Sequence, residues 1–248
     1  FIGNNATLGG AICWTSPNGV VTDSIFIGNN ATLGGAVYWK GGVEYIAYVW
    51  NYKERFAIHG NNGKVVNSEF IENTAINGGA IYWAGENGNV SNSKFTDNYA
   101  EKGGAIYWTN ITQKATYPPT RATTYTKIAT TGNNGIVENS TFFANKANYE
   151  TGLGGAIYWN TSSSNITDTT FLNNTASKGG AIYWVNGTKI DNSTFRFNKA
   201  HTGSAIYEDA SMKEMDIIDS SFLENRADSN KFEHFDVTGT STGIKVSA

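Results

Sequence analysis

Several residue types are scarce in this chain of 248 residues. It has one cysteine, three prolines, three histidines and two methionines. A single Cys13 excludes an intrachain disulfide framework, and it does not indicate a compartment. His59, His201 and His234 have no partners at metal-ligand spacing. No run of about 18 apolar residues is present, so no helical membrane span is expected. Net charge is −3 and the isoelectric point about 5.6, which leaves no basic footprint for nucleic acid. No phosphate loop, nucleophile elbow or zinc signature occurs. The chain begins at Phe1 with no signal-peptide pattern before it, so it reads as a segment of something longer.

Other residue types are in excess. The 28 Gly, 30 Asn, 28 Thr and 18 Ser are too many for a helical bundle, which draws on Ala, Leu, Glu and Lys. Yet 40% of residues are hydrophobic and 13% aromatic, which excludes simple disorder. An all-β, turn-rich chain with a core remains.

A repeat organises these excesses. Phe recurs at 1, 26, 70, 95, 142, 171, 195 and 222. Asn follows three residues after each, from Asn4 to Asn225, and Ala two residues further on. A Gly-Gly-Ala segment starts at Gly9, Gly34, Gly78, Gly103, Gly154 and Gly179, and a seventh copy at Gly203 reads Gly-Ser-Ala-Ile. Phe-to-Phe spacings are 25, 44, 25, 47, 29, 24 and 27. Removing insertions at about 40–62 and 109–134, and a short one after Phe142, returns the long spacings to 25. A 25-residue unit without a leucine framework predicts an all-β fold, a parallel β-helix (solenoid) of about eight coils with two long loop insertions. It forms a single domain over 1–248, with 228–248 losing the repeat and available as a C-terminal cap. Strands about 4.8 Å apart give a rod of roughly 40 Å. Asn at one bend can bond its copy in the next coil as an Asn ladder. A second column, from Asp23 and Asn67 to Asp219, is expected to mark another corner, and the glycines to serve positive φ or tight corners.

The pairing of Gly-Gly-Ala-Ile with Phe-x-x-Asn resembles the repeats of chlamydial polymorphic outer-membrane proteins. With Asn-Ser-x-Phe and Asn-x-Ala it is also similar to adhesin-like surface proteins of methanogenic archaea. The resemblance covers almost the whole chain. It implies a right-handed parallel β-helix, extracellular and on the cell surface, that mediates attachment, and it does not specify a ligand.

Two candidate contact features follow. Each glycine segment ends in an aromatic pair whose second column is Trp14, Trp39, Trp83, Trp108, Trp159 and Trp184, with Glu208 in the last copy. Neighbours on a strand point to opposite faces. Three aromatics per coil would overfill the interior, and Glu suits an exposed site. The Tyr column is therefore expected inward and the Trp column outward, although Ile would then share the Trp face. Such a stripe binds a ligand or is covered by the insertions. The second feature is the insertions. The first contains Tyr45, Tyr48, Trp50 and Tyr52 and alternates as a hairpin does; the second, with Pro118, Pro119 and many Thr, is expected to be irregular. Both leave just after a Trp and offer binding loops on a rigid scaffold.

Parallel β-helices also host polysaccharide lyases and hydrolases, which need clustered carboxylates. Here Asp and Glu are scattered, so neither catalysis nor a cofactor is expected. The expected partner is a glycan or protein on a host or neighbouring-cell surface, with no nucleic acid and no membrane insertion in this segment. End-to-end self-association through open coil edges, as in a stalk or filament subunit, is the alternative.

Overall fold

The structure is a computed structural model that describes residues 1–47, 54–116, 126–185, 189–209, 215–228, 235–238 and 244–247. Among these residues there is no helix. Three long parallel sheets dominate. The first stacks the strands Ile12–Trp14, Val37–Trp39, Ile81–Trp83, Ile106–Thr109, Ile157–Asn160, Ile182–Trp184, Ile206–Asp209 and Phe235–Thr238. The second runs from Val20–Thr22 through Asn89–Ser91 to Ile244–Ser247, and the third from Ile25–Ile27 through Lys94–Thr96 to Ser221–Leu223. The chain visits the first, second and third sheets in turn and then returns to the first, which makes a parallel β-helix. Register is repeat on repeat: Trp83 pairs with Trp108, Val65 with Val90, and Phe70 with Phe95.

Three of the bends between the sheets each have their own chemistry. Between the second and third sheets, Asp23, Asn67, Asn92, Asn139, Asp168, Asn192 and Asp219 all sit at φ between 42° and 50°. Asn and Asp tolerate that left-handed backbone best among residues with a side chain. The next residue closes the turn: the Ser68 hydroxyl donates to the Val66 carbonyl at 2.9 Å and accepts from the Ser24 amide at 3.2 Å. After the third sheet comes the buried asparagine column. Asn98 Nδ2 donates to Phe70 O and to Asn145 Oδ1, both at 2.9 Å, while its Oδ1 accepts from the amide and Nδ2 of Asn73. Four bonds satisfy a side chain that is fully buried. At the glycine corner, Gly103 has φ +62°, and a Cβ on Gly104 would lie 2.1 Å from the carbonyl of Gly155 in the next coil. The first position needs a left-handed backbone and the second needs close approach.

The core is a set of stacked columns: Val/Ile from the second sheet, Phe from the third, and Ile and Trp from the first. The Phe rings lie 4.7–5.0 Å apart and nearly parallel. Trp39, Trp83, Trp108, Trp159 and Trp184 are fully buried, and Trp14 is partly buried against the same cluster. The expectation of an outward Trp column is thus wrong, and the tyrosines face out. The interior has room because a glycine stands two residues before most of the Val/Ile column. A Cβ on Gly88 would lie 2.5 Å from the Trp83 ring and 2.6 Å from that of Trp108; Gly63 and Gly135 make room in the same way. Glu208 is also fully buried, in register with Trp184 on one side and Val237 on the other. It is not the exposed residue that its charge suggested.

Both insertions are antiparallel hairpins. Val43–Ala47 pairs with Glu54–Ile58, and Ile111–Thr116 with Thr126–Thr131. The second was expected to be irregular; its Thr-rich arms, with β-branched side chains, pair over six residues instead. In the segment that loses the repeat, Phe235–Thr238 and Ile244–Ser247 each add an eighth parallel strand to a sheet.

Candidate functional site

The outward face of the first sheet bears the second aromatic column, which is more open to solvent at its N-terminal end. It begins at exposed Cys13 and continues through Tyr38, Tyr82, Tyr107, Tyr158, Tyr183 and Tyr207. The rings stack 4.7–5.3 Å apart. Tyr38, Tyr82 and Tyr107 are half-buried, whereas Tyr158, Tyr183 and Tyr207 fall to 9%, 6% and 4% exposure. Leu153 and Val185 pack against the latter three.

Stacking decides what this column can offer. Each ring face within the stack is taken by the next ring, so a sugar cannot lie flat on any of them. The column presents ring edges and hydroxyls. Burial pushes the phenols of Tyr38, Tyr82, Tyr107 and Tyr183 above their usual range and that of Tyr158 up to about 12. They are hydrogen-bond donors over the physiological range. The Tyr183 hydroxyl donates to Asp209. Lys178 Nζ stands 4.8 Å from the Tyr207 ring centre and donates to its hydroxyl at 3.3 Å, and Lys102 Nζ stands 5.8 Å from the Tyr158 ring centre.

The hairpins leave this same sheet at the C-terminal ends of two interior strands, after Trp39 and after Trp108, and their strands Val43–Ala47 and Thr126–Thr131 approach each other. Tyr45 lies in the first hairpin opposite Phe56. Tyr48, Trp50 and Tyr52, the other aromatics expected to contact a ligand there, lie outside the described residues. The six tryptophans are brought together as expected, but as core: Trp39 Nε1 donates to the carbonyl of Gly60 inside the rod at 2.9 Å, and Trp83 Nε1 to that of Gly85 at 3.1 Å. The five from Trp39 to Trp184 cannot meet a surface ligand, and Trp14 is partly buried against the same cluster. The signal that would have reassigned the faces is the Gly-x-Val spacing at Gly63, Gly88 and Gly135.

Comparison with known proteins adds to this geometry. The Chlamydia polymorphic membrane protein repeat matches residues 67–82, 92–107 and 168–183. Each match starts at a left-handed Asn or Asp corner, runs through the core Phe and the buried Asn, and ends on an outward Tyr. The metabotropic glutamate receptor-like protein R of Dictyostelium discoideum is 44% identical over 72 residues, which is 29% of this chain and 4% of that protein. The chain therefore spans a small part of that relative. No solved structure matches. The matched residues are those that build the corners and the core, so in three of its coils this β-helix is similar to the Chlamydia polymorphic membrane protein repeat.

Proposed function

We propose that the chain is a non-catalytic attachment module on the cell surface, which recognises a glycan or protein of a host or neighbouring cell. One observation carries this reading. On a rod of repeated coils, two hairpins emerge from the C-terminal ends of strands of the tyrosine-bearing sheet and lie beside each other. Irregular elements on a rigid scaffold are where recognition is usually placed. The contact side is the outward Tyr column with the two hairpins, in place of the tryptophans. Replacing each hairpin with a short Gly-containing turn tests this. Binding to target cells should fall at least tenfold while the circular dichroism spectrum and melting temperature stay close to those of the parent. Full binding without either hairpin overturns it.

The order of the strands supports a second reading. Among the described residues Ile12–Trp14 and Phe235–Thr238 stand at the two ends of the first sheet, and a parallel strand at such a position can template another chain. End-to-end assembly would appear as concentration-dependent growth in light scattering, and a strictly monomeric protein excludes it.

A further inference from the structure

The triplet Asn-x-Ser/Thr, the acceptor sequence for an N-linked saccharide, occurs ten times in the chain. The fold accounts for some copies and not for others. Asn139 and Asn192 belong to the left-handed corner that is built from Asn or Asp. Their Nδ2 atoms are spent there, donating to Asn92 and Asp168 at 2.6 Å. Asn89 Nδ2 donates to Glu138 at 2.9 Å. Asn110 and Asn160 are half-buried at the root of the second hairpin. Asn186 lies outside the described residues.

Four copies remain, at Asn5, Asn30, Asn165 and Asn173. All four asparagines are exposed, and none of their side chains makes a hydrogen bond among the described residues. The repeat does not ask for Asn at these places. Asn165 stands between Ile136 and Lys189 in the second sheet. The file of Asn5 and Asn30 continues with Thr74 and Tyr99. The place of Asn173 is taken by Ala144 in the coil before and by Phe197 in the coil after. Neither corner geometry nor core packing therefore explains these triplets. They also share a placement. Asn165 faces out from the second sheet, while Asn30 and Asn173 flank the buried asparagines Asn29 and Asn174. None of the four lies on the outward face of the first sheet, where the Tyr column and the hairpin roots are.

We infer that these asparagines carry N-linked saccharides, which cover the second sheet and the asparagine corner and leave the tyrosine face and the hairpins bare. Asn5 and Asn30 stand in register one coil apart, about 4.8 Å, so that pair holds one saccharide and the other two sites hold one each. The donor is a lipid-linked saccharide phosphate. Its C1–O bond to phosphate breaks, a bond from C1 to the asparagine Nδ2 forms, and one amide proton leaves as the phosphate is released. The inference rests on the attachment reading, which places the chain outside the cell, where such bulky polar groups are carried. A saccharide on Asn139 or Asn192 would crowd a nitrogen that the corner uses, so those triplets stay unmodified.

Peptide mapping by mass spectrometry of the protein isolated from its own cells tests this. Asn165, Asn173 and one of Asn5 and Asn30 should be modified, and Asn89, Asn139 and Asn192 should not. Asn165→Gln and Asn173→Gln should each remove one saccharide mass from the intact protein. Enzymatic removal of the saccharides from the folded protein should leave binding to target cells within about twofold, because the contact side is bare. An unmodified Asn165 or Asn173, modification at Asn139 or Asn192, or a larger loss of cell binding on removal of the saccharides overturns the inference. The two readings fail separately. A protein without saccharides that still binds cells overturns the modification alone, and a modified protein that binds no cells overturns the attachment reading alone.

Discussion

The Trp and Tyr columns sit on the same strands, one residue apart, yet they face opposite worlds. Tyr82 and Trp83 pair with Tyr107 and Trp108 in one register, and both columns stack near 5 Å. The Trp rings are fully buried with their indole nitrogens directed at backbone or hydroxyl acceptors in several coils, as in the bonds from Trp159 to Thr161 and Ser164. The Tyr rings are buried mostly by one another, and their hydroxyls face lysines, an aspartate or solvent. Equal stacking does not mean equal stabilisation. A Trp ring also contacts the Val/Ile and Phe columns across the rod, whereas a Tyr ring contacts only its own column and a few flanking side chains.

Truncation should expose the difference at once. Trp108→Ala removes a wholly buried indole and leaves a cavity, at a cost of about 3–5 kcal/mol. Tyr107→Ala, one residue away on the other face, should cost about 1–2 kcal/mol. Urea unfolding of the two variants measures both. Similar losses would mean that the outward stack is part of the core in energetic terms. Asn98→Ala ranks close to the Trp variant. It takes the acceptor from the Asn73 amide, one of the two acceptors from Asn73 Nδ2 and a donor from the Phe70 carbonyl in a dry interior, so about 3 kcal/mol is expected. A loss below about 1 kcal/mol would mean that water enters and replaces the amide.

A subtler test addresses why Trp is inside. Gly88→Ala places a methyl group against the rings of Trp83 and Trp108, and overpacking of this kind costs about 1–3 kcal/mol. In a Trp83→Leu background the same change should cost much less, because the smaller side chain gives way. Additive losses in the double-mutant cycle would show that the glycine serves the backbone and not the ring.

Most of the architecture was legible because a repeat averages out local ambiguity. The Phe, Val/Ile and Asn columns recur so regularly that their stacking follows from spacing alone, and the Asn or Asp before Ser or Thr marked a corner. The aromatic faces were misread because volume was judged from the aromatics without the small residues beside them. Ile81 and Trp83, two apart on one strand, already pointed the same way, and Gly88 supplies the missing space. Glu208 was misjudged by its charge; the strand Phe235–Thr238, which lacks the repeat, stacks over it. The second hairpin was obscured by its prolines. The left-handed backbone at Phe197 had no signal of its own, because it is visible only once the coil is built.

The smallest effect sought is a titration, and it bears on the outward column alone. Burial raises the Tyr phenols, with Tyr158 at about 12 against a usual value near 10. For a group whose folded pKa is raised, the folded chain holds its proton where the unfolded chain has lost it. Its contribution is therefore complete below about pH 10 and is lost as pH climbs through the folded value. Stability should be flat from neutral pH to about pH 9.5 and then decline toward pH 12, with tyrosinate absorbance lagging behind that of an unfolded control. Tyr158→Phe removes one such group from the column while keeping its ring in the stack, so the decline should become shallower with little change at pH 7. The tryptophans have no proton to lose, and Trp108→Phe should shift the whole curve down without altering its alkaline slope. If both substitutions change the slope alike, the two faces of the sheet are not electrostatically distinct.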